Sequence, residues 1–306
     1  METEQTAADV FGLLSDEIRL EILRTVALAQ HEKRQTGVTE LSFSDIYDRV
    51  SVDNTSKLSY HLGELTGTFL RKHENGYAFT HAGEQLVRFI LAENFRSPPD
   101  FGTIETDGRC LFCGESPLEA QLEEQYFMIR CSECDRPAFS YRIRPAQARS
   151  HSGPDLIDAV IWEQVGDFLK MQQGVCPDCA GHFDTEVMDA ESTSVGDLVP
   201  VSYGVVNECQ QCQRVMGVPL PYAAVYHPES IAFHWDHGVD VLGTGAWEFH
   251  RYLQDGQWTS EQIQTAPDEY RVELQRETSA LRLLLDKNAT VTRTERVRHS
   301  DQHGRR

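Results

Sequence analysis

Between residues 7 and 95 the apolar positions recur with a helical period. Val10, Leu13 and Leu14 begin one helix, and Ile18, Leu20, Ile22, Leu23, Val26 and Ala27 carry a buried face through the next. Ser15 stands where an N-cap belongs, with the acidic Asp16 and Glu17 in the following turn. A polar stretch at 30–39 interrupts the pattern. Residues 44–50 then read as a short helix, 52–55 as a turn, and 56–65 as a helix with Leu58, Leu62 and Leu65 facing inward. Two extended runs, 69–73 and 77–79, flank Glu74-Asn75-Gly76, whose Asn-Gly pair is a hairpin-turn signal. Thr80 caps a last helix over 82–92.

The run Ser97-Pro98-Pro99-Asp100 marks a boundary, and beyond it the pattern changes to an internal repeat. Each unit runs from a CxxC pair through a hairpin to a tyrosine-led apolar strand, then a second CxxC pair, an arginine and another strand. The first unit holds Cys110, Cys113, Tyr126, Cys131, Cys134 and Arg136; the second holds Cys176, Cys179, Tyr203, Cys209, Cys212 and Arg214. Between them, 154–171 is an amphipathic helix carrying Leu156, Ile157, Val160, Ile161, Val165, Phe168 and Leu169. In the last part, 230–235 reads as a strand, 245–253 as a short aromatic-rich helix, and 270–274, 280–285 and 290–297 as an antiparallel meander. The final residues, 299–306, read as a disordered tail.

All eight cysteines lie in these four CxxC pairs. Two thiolates three residues apart on a tight turn face one metal ion, and two such turns complete a tetrahedral four-sulfur shell for structural zinc. The spacings are CxxC-x17-CxxC and CxxC-x29-CxxC, of which only the first falls in the usual ribbon range. Because each pair of turns shares one repeat unit, sequential sites are expected: Cys110, Cys113, Cys131 and Cys134, then Cys176, Cys179, Cys209 and Cys212. Two Zn2+ per chain follow, stapling a region with few strands of its own. The same thiolates, releasing zinc or oxidising, would instead make a metal or redox sensor.

The formal charge is −20, and the basic residues are five lysines against 23 arginines. Such an acidic, lysine-poor chain suits multimolar salt. At 1 M the Debye length is about 3 Å, so repulsion from nucleic acid is largely screened and little counterion-release energy remains. A DNA-binding protein can be acidic under those conditions, provided it reads DNA by close contacts. No stretch approaches the ~20 apolar residues of a membrane span, and the first residues lack the regions of an export signal. A cytoplasmic location with no membrane partner is expected.

Helix, helix, short helix, turn, helix, two-stranded wing, helix is the order of a winged helix-turn-helix. Over about residues 7–95 the chain resembles ArsR/MarR-like regulators, and a group of haloarchaeal winged-helix proteins in particular. The resemblance is carried by residues 14–23 (LSDEIRLEIL), 57–65 (KLSYHLGEL) and 76–83 (GYAFTHAG). It implies that the helix over 56–65 enters the major groove of double-stranded DNA. Thr55, Ser56, Lys57, Ser59, Tyr60 and His61 are the candidates to face it, with Arg71, Lys72 and His73 of the wing on the phosphate backbone. A homodimer is the implied form. No cysteine lies in this part, so the family's cysteine-based metal sensing is not implied.

His227, His234, His237 and His250 fall in an aromatic-rich segment with Trp235, Trp247, Phe249, Tyr252 and Trp258. They read as core or surface histidines and core aromatics; the alternative is a pocket for a small-molecule or protein effector. Arg293, Arg296, Arg298, Arg305 and Arg306 read as a solvated terminus. No GxGxxG, Walker A, HExxH or GxSxG motif occurs, and no enzyme is expected.

The expected fold class is α+β. A winged helix-turn-helix DNA-binding domain (1–96) precedes a first zinc-ribbon-like unit (97–150), a connecting amphipathic helix (151–172) and a second zinc-ribbon-like unit (173–222). A small antiparallel α+β unit (223–298) and the tail (299–306) follow. The function expected is sequence-specific transcriptional regulation, with a zinc-stabilised region for interaction or effector sensing. The competing class is a zinc-scaffolded adaptor of the transcription machinery.

Overall fold

The structure is a computed structural model describing residues 6–33, 40–193, 195, 199 and 201–298. The expected tail, with Arg305 and Arg306, and most of the polar stretch at 30–39 lie outside the described residues. The chain divides into two compact units, Met1–Ser97 and Pro98–Arg306. It is a mixed α+β protein with four small antiparallel sheets among the described residues.

The first unit opens with α1 (Ala7–Gly12) and a 3-10 turn (Leu13–Ser15), followed by α2 (Glu17–Lys33). Asp16, not Ser15, caps α2. The 3-10 turn absorbs Ser15, whose hydroxyl donates back to the Gly12 carbonyl at 2.8 Å. That leaves Asp16 extended, its Oδ1 accepting from the backbone N–H groups of Ile18 (2.9 Å) and Arg19 (3.2 Å). Next come α3 (Phe43–Tyr47), capped by Ser42, and α4 (Thr55–Leu65), whose Lys57 N–H donates to Asn54 Oδ1 at 2.9 Å.

Strands β1 (Leu70–Lys72) and β2 (Tyr77–Phe79) form the Asn-Gly hairpin in the register Leu70↔Phe79, and α5 (His81–Leu91) starts at the Thr80 cap. Leu41 docks on the hairpin, exchanging backbone hydrogen bonds with Tyr77 at 3.0 and 2.8 Å. Its carbonyl lies 2.1 Å from where a Cβ on Gly76 would stand, so the hairpin turn admits only glycine there. Ile22, Leu23 and Val26 of α2, Ile46 of α3, and Leu58, Leu62 and Leu65 of α4 close a core over Phe69 and Phe79.

In the second unit β3 (Ile104–Thr106), β4 (Leu118–Glu123), β5 (Tyr126–Cys131) and β6 (Pro137–Arg142) pair in sequence order. Helices α6 (Pro145–Ser150) and α7 (Pro154–Met171) lead to a second sheet of β7 (Phe183–Asp189), β8 (Tyr203–Cys209) and β9 (Val215–Pro219). Helices α8 (Leu220–Val225) and α9 (Pro228–Asp236) follow, then a 3-10 turn (Ala246–Phe249) running into α10 (His250–Gln254). A four-stranded meander, β10 (Trp258–Thr265), β11 (Asp268–Arg276), β12 (Ser279–Asp286) and β13 (Val291–Arg298), ends the described chain. One apolar core runs through all of it, from Phe127 and Ile129 through Val160 and Phe168 to Trp247, Trp258, Leu274 and Leu283.

Two expectations are corrected here. Residues 230–235 are helical rather than extended. Pro228 sits in the first turn with its φ preset, and His227 Nδ1 accepts from the Glu229 N–H at 3.2 Å as a cap. Ser230 and His234, one turn apart, are buried, while Trp235 is 68% exposed. In α7 the expected apolar face is buried except for Leu169, which is 41% exposed at the helix's C-terminal end. No helix among the described residues is long and apolar enough to cross a membrane.

Gly83 gives a direct test of the first unit's packing. A Cβ there would stand 2.0 Å from the Phe69 carbonyl oxygen. Glycine to alanine in a helix ordinarily stabilises by about 1 kcal/mol. Gly83→Ala is instead expected to destabilise by about 1–3 kcal/mol through overpacking, read as a lower urea midpoint.

Candidate metal centres

The four CxxC turns are built alike. In each, the N–H of the first cysteine donates to the carbonyl five residues on: Cys110 to Glu115 (2.9 Å), Cys131 to Arg136 (3.1 Å), Cys176 to Gly181 (2.9 Å) and Cys209 to Arg214 (2.9 Å). The N–H four residues on returns to the first cysteine's carbonyl, from Gly114, Asp135, Ala180 and Gln213 at 2.9–3.0 Å. Each of those four residues has positive φ, between 56° and 78°, which reverses the chain so that both thiols face one point. Backbone N–H groups also aim at sulfur, from Phe112 to Cys110 Sγ and from Gln211 to Cys209 Sγ, both at 3.4 Å.

The turns pair within each repeat unit, as the sequence implied. Cys110, Cys113, Cys131 and Cys134 form one cluster, and Cys176, Cys179, Cys209 and Cys212 the other; within each, all sulfurs lie within 4.8 Å of one another. The shortest separations are 3.5 and 3.6 Å in the first and 3.4 and 3.6 Å in the second. These are far beyond an S–S bond of about 2.05 Å and close to the edge of about 3.8 Å of a tetrahedron with Zn–S of ~2.3 Å. In each cluster the first cysteine of either turn is buried and the second exposed.

The electrostatics suit a cation. Burial raises the Cys110 thiol, but N–H groups of Cys113 and Phe112 outweigh it and hold it down at about 7. The N–H groups of Cys212 and Gln211 likewise hold Cys209 at about 6. Cys113 and Cys212 are pushed up to about 12: the N–H groups of Glu115 and Arg214 favour their thiolates, but burial and the neighbouring sulfurs outweigh them. The first ionised sulfur resists the rest until a divalent cation neutralises the set. Eight cysteines of this geometry fit two zinc ions, each in a four-sulfur shell. The surrounding region was expected to have few strands of its own; it carries eleven among the described residues.

A polar network missed in the sequence ties the two clusters' units together. Tyr141 Oη and Arg142 Nη2 (2.8 Å) of β6 both donate to Asp167 on α7, a carboxylate only 3% exposed. Arg142 Nη1 also donates to Asp178, inside the Cys176–Cys179 turn, and Arg214 Nε stands 3.5 Å from the other Asp178 oxygen. The available signal was Asp167, a lone acid on the buried face of an amphipathic helix.

The residues expected to face DNA divide. Thr55, Ser56, Lys57, Ser59 and Tyr60 are exposed on one side of α4, and Arg71, Lys72 and His73 are exposed on β1 and the turn after it. His61 is the exception, 5% exposed with Nδ1 3.7 Å from Asp16 Oδ1. It falls between Leu58, Leu62 and Leu65 on the buried side, because three- and four-residue steps share one helix face. Lys57 reaches Asp53 at 3.5 Å, and His73 lies 3.6 Å from Glu40.

The histidines of the aromatic-rich segment are structural. His234 and His250 are fully buried; burial brings them down to about 4 and about 3, so they are neutral. His234 Nδ1 hydrogen-bonds the Ser230 carbonyl at 2.8 Å and His237 Nδ1 the Phe233 carbonyl at 2.7 Å, so the HxxH pair braces a helix end. Trp247, Phe249, Tyr252 and Trp258 are core, whereas Trp235 lines an open cavity of about 480 Å³ with Leu169, Tyr226 and Ile231. Arg296 on β13 pairs with Asp236 at 2.7 Å and Glu229 at 3.7 Å.

Residues 107–291, which include all eight cysteines, match the family described as Domain of unknown function (DUF7351), and residues 7–90 match Domain of unknown function (DUF7347). The first match covers more than half of the chain, so the protein belongs to the DUF7351 family. No curated protein and no solved structure matches it.

The purified chain is expected to hold two zinc ions by elemental analysis, and Cys110→Ser, assayed with excess zinc, one. Acidification should release both, because protons compete for the thiolates.

Proposed function

We propose that this protein is a sequence-specific, DNA-binding transcriptional regulator of haloarchaeal type, in which the first unit is a winged helix-turn-helix. The observation that carries the reading is the two-sidedness of α4. Its N-terminal turn and outer face offer small hydroxyls, one cation and one aromatic ring: Thr55, Ser56, Lys57, Ser59 and Tyr60. Its other face is locked into the core by Leu58, Leu62 and Leu65. A helix so anchored presents its hydrogen-bonding face on a fixed backbone, which suits major-groove reading. The β1–β2 hairpin adds Arg71, Lys72 and His73 for phosphates. At the salt concentrations such an acidic chain suits, contacts of this range survive screening.

The second unit would hold its two zinc ions structurally and serve as an interaction or effector-sensing module. A signal received there would change DNA affinity in a dimer by population shift. The adaptor reading is supported by the apolar residues this unit leaves exposed, Trp162 and Trp235 at 58% and 68%.

Footprinting against the chain's own upstream region in molar salt separates these readings. A protected site lost on Lys57→Ala plus Arg71→Ala is expected, a drop of tenfold or more in affinity. Absence of any protected site across the genome would favour the adaptor.

A further inference from the structure

In both repeat units the arginine five residues after the second turn's first cysteine contacts the residue two after the first turn's. In the first unit, Arg136 lies over the Phe112 ring, 4.3 Å from its centre. In the second, the corresponding pair is Arg214 and Asp178. That exchange of ring for carboxylate gives the second turn a charge, and Arg142 of the first unit's sheet takes it. We infer that Arg142 is a clasp through which the two metal centres bind their ions cooperatively, each raising the other's affinity. The inference rests on the two thiol clusters holding metal.

The physical reasons are charge and burial. A metal-loaded four-thiolate centre carries about two negative charges, and Asp178 stands inside its loop between Cys176 and Cys179. Two guanidiniums hold the carboxylate there against that repulsion, one from each repeat unit. Arg142 is itself fixed by the buried Asp167, which Tyr141 also engages. If the second turn unwinds on losing its ion, Asp178 leaves and a half-buried guanidinium loses one of its two carboxylates, which is unfavourable. If the first sheet loosens, β6 withdraws Arg142, and the second turn must be ordered by the metal alone.

The path is defined. Arg142 pairs with Tyr126 at one end of β5, and Cys131, a ligand of the first centre, closes the other end five residues on. At about 3.3 Å per residue that is roughly 16 Å of paired strand. Linkage requires the effect to be reciprocal.

The test is a competition titration of the full chain with zinc against a chromophoric chelator. Single-centre variants replace the exposed ligands, Cys113→Ser with Cys134→Ser or Cys179→Ser with Cys212→Ser. In the wild-type chain, the product of the two dissociation constants should be about tenfold smaller than the product of the single-centre values. With Asp178→Asn in all three backgrounds the two products should agree; this change leaves the buried Arg142–Asp167 pair in place. Agreement in the wild-type chain, or a ratio that survives Asp178→Asn, overturns the clasp. Should a single-centre variant take up no metal, Asp178→Asn and Arg142→Gln in the otherwise wild-type chain decide. The clasp then requires either change to raise the product about tenfold with near-ultraviolet circular dichroism unchanged, and an unaltered product overturns it. A wild-type chain that binds no zinc sinks the metal reading itself.

Discussion

Four sulfurs brought within 4.8 Å of one another set the terms for the second unit. Thiolates that close cannot share a site without a cation, and neutral thiols gain little from one another. The turns nevertheless converge, because each is closed by two backbone hydrogen bonds and a reversed residue. Cys131 and Cys209 are the last residues of β5 and β8, so in each cluster one turn grows directly from a central strand. A metal ion would join that strand's end to a loop that strand pairing alone leaves to its own turn.

The centres are supported from the core as well. The Gln254 amide on α10 donates to the Cys110 carbonyl at 2.8 Å, and Trp247 Nε1 to the Asp107 carbonyl at 3.0 Å. Segments some 140 residues downstream thus hold the first CxxC turn, while α7 holds Arg142 through Asp167. The zinc-ribbon-like units and the final α+β part, separate in a reading along the chain, pack as one body with one apolar core. A metal ion in either cluster would therefore sit within a large packed unit.

The legible parts of the sequence were those with a local physical signature. CxxC spacing and the repeat sorted all eight cysteines into the two clusters they form, and Asn75-Gly76, Thr80 and the leucines of α4 marked the hairpin, a cap and a buried face. Errors arose where a neighbour decided. Ser15 is as good a cap as Asp16 until a 3-10 turn consumes it. The alternation of Ile231, Phe233 and Trp235 resembles a strand until Pro228 and the His227 cap begin a helix. Strand β10 escaped notice because apart from Trp258 its positions are largely exposed, and its pairing with β11 recruits it. The Asp167–Arg142–Asp178 link joins residues 25 and 36 apart along the chain, with no periodic pattern to announce it.

Charge use bears on the proposed DNA reading. In the second unit many arginines are spent on nearby carboxylates: Arg130 on Glu123, Arg142 on Asp167 and Asp178, Arg271 on Glu261, Arg282 on Glu273, and Arg296 on Asp236. Their guanidiniums serve the fold and offer little to a phosphate. On β1, by contrast, Arg71 is exposed and enters no ion pair among the described residues, and neighbouring Lys72 lies 5.9 Å from the Tyr77 ring centre. Lys57 is tied only to an exposed Asp53, a pairing that costs little to exchange in salt. In a chain with a net charge of −20, Arg71, Lys72 and Lys57 are among the exposed cations left for an anionic polymer. The overall acidity is compatible with the proposed nucleic-acid surface, because net charge counts every residue and a binding face only the residues on it.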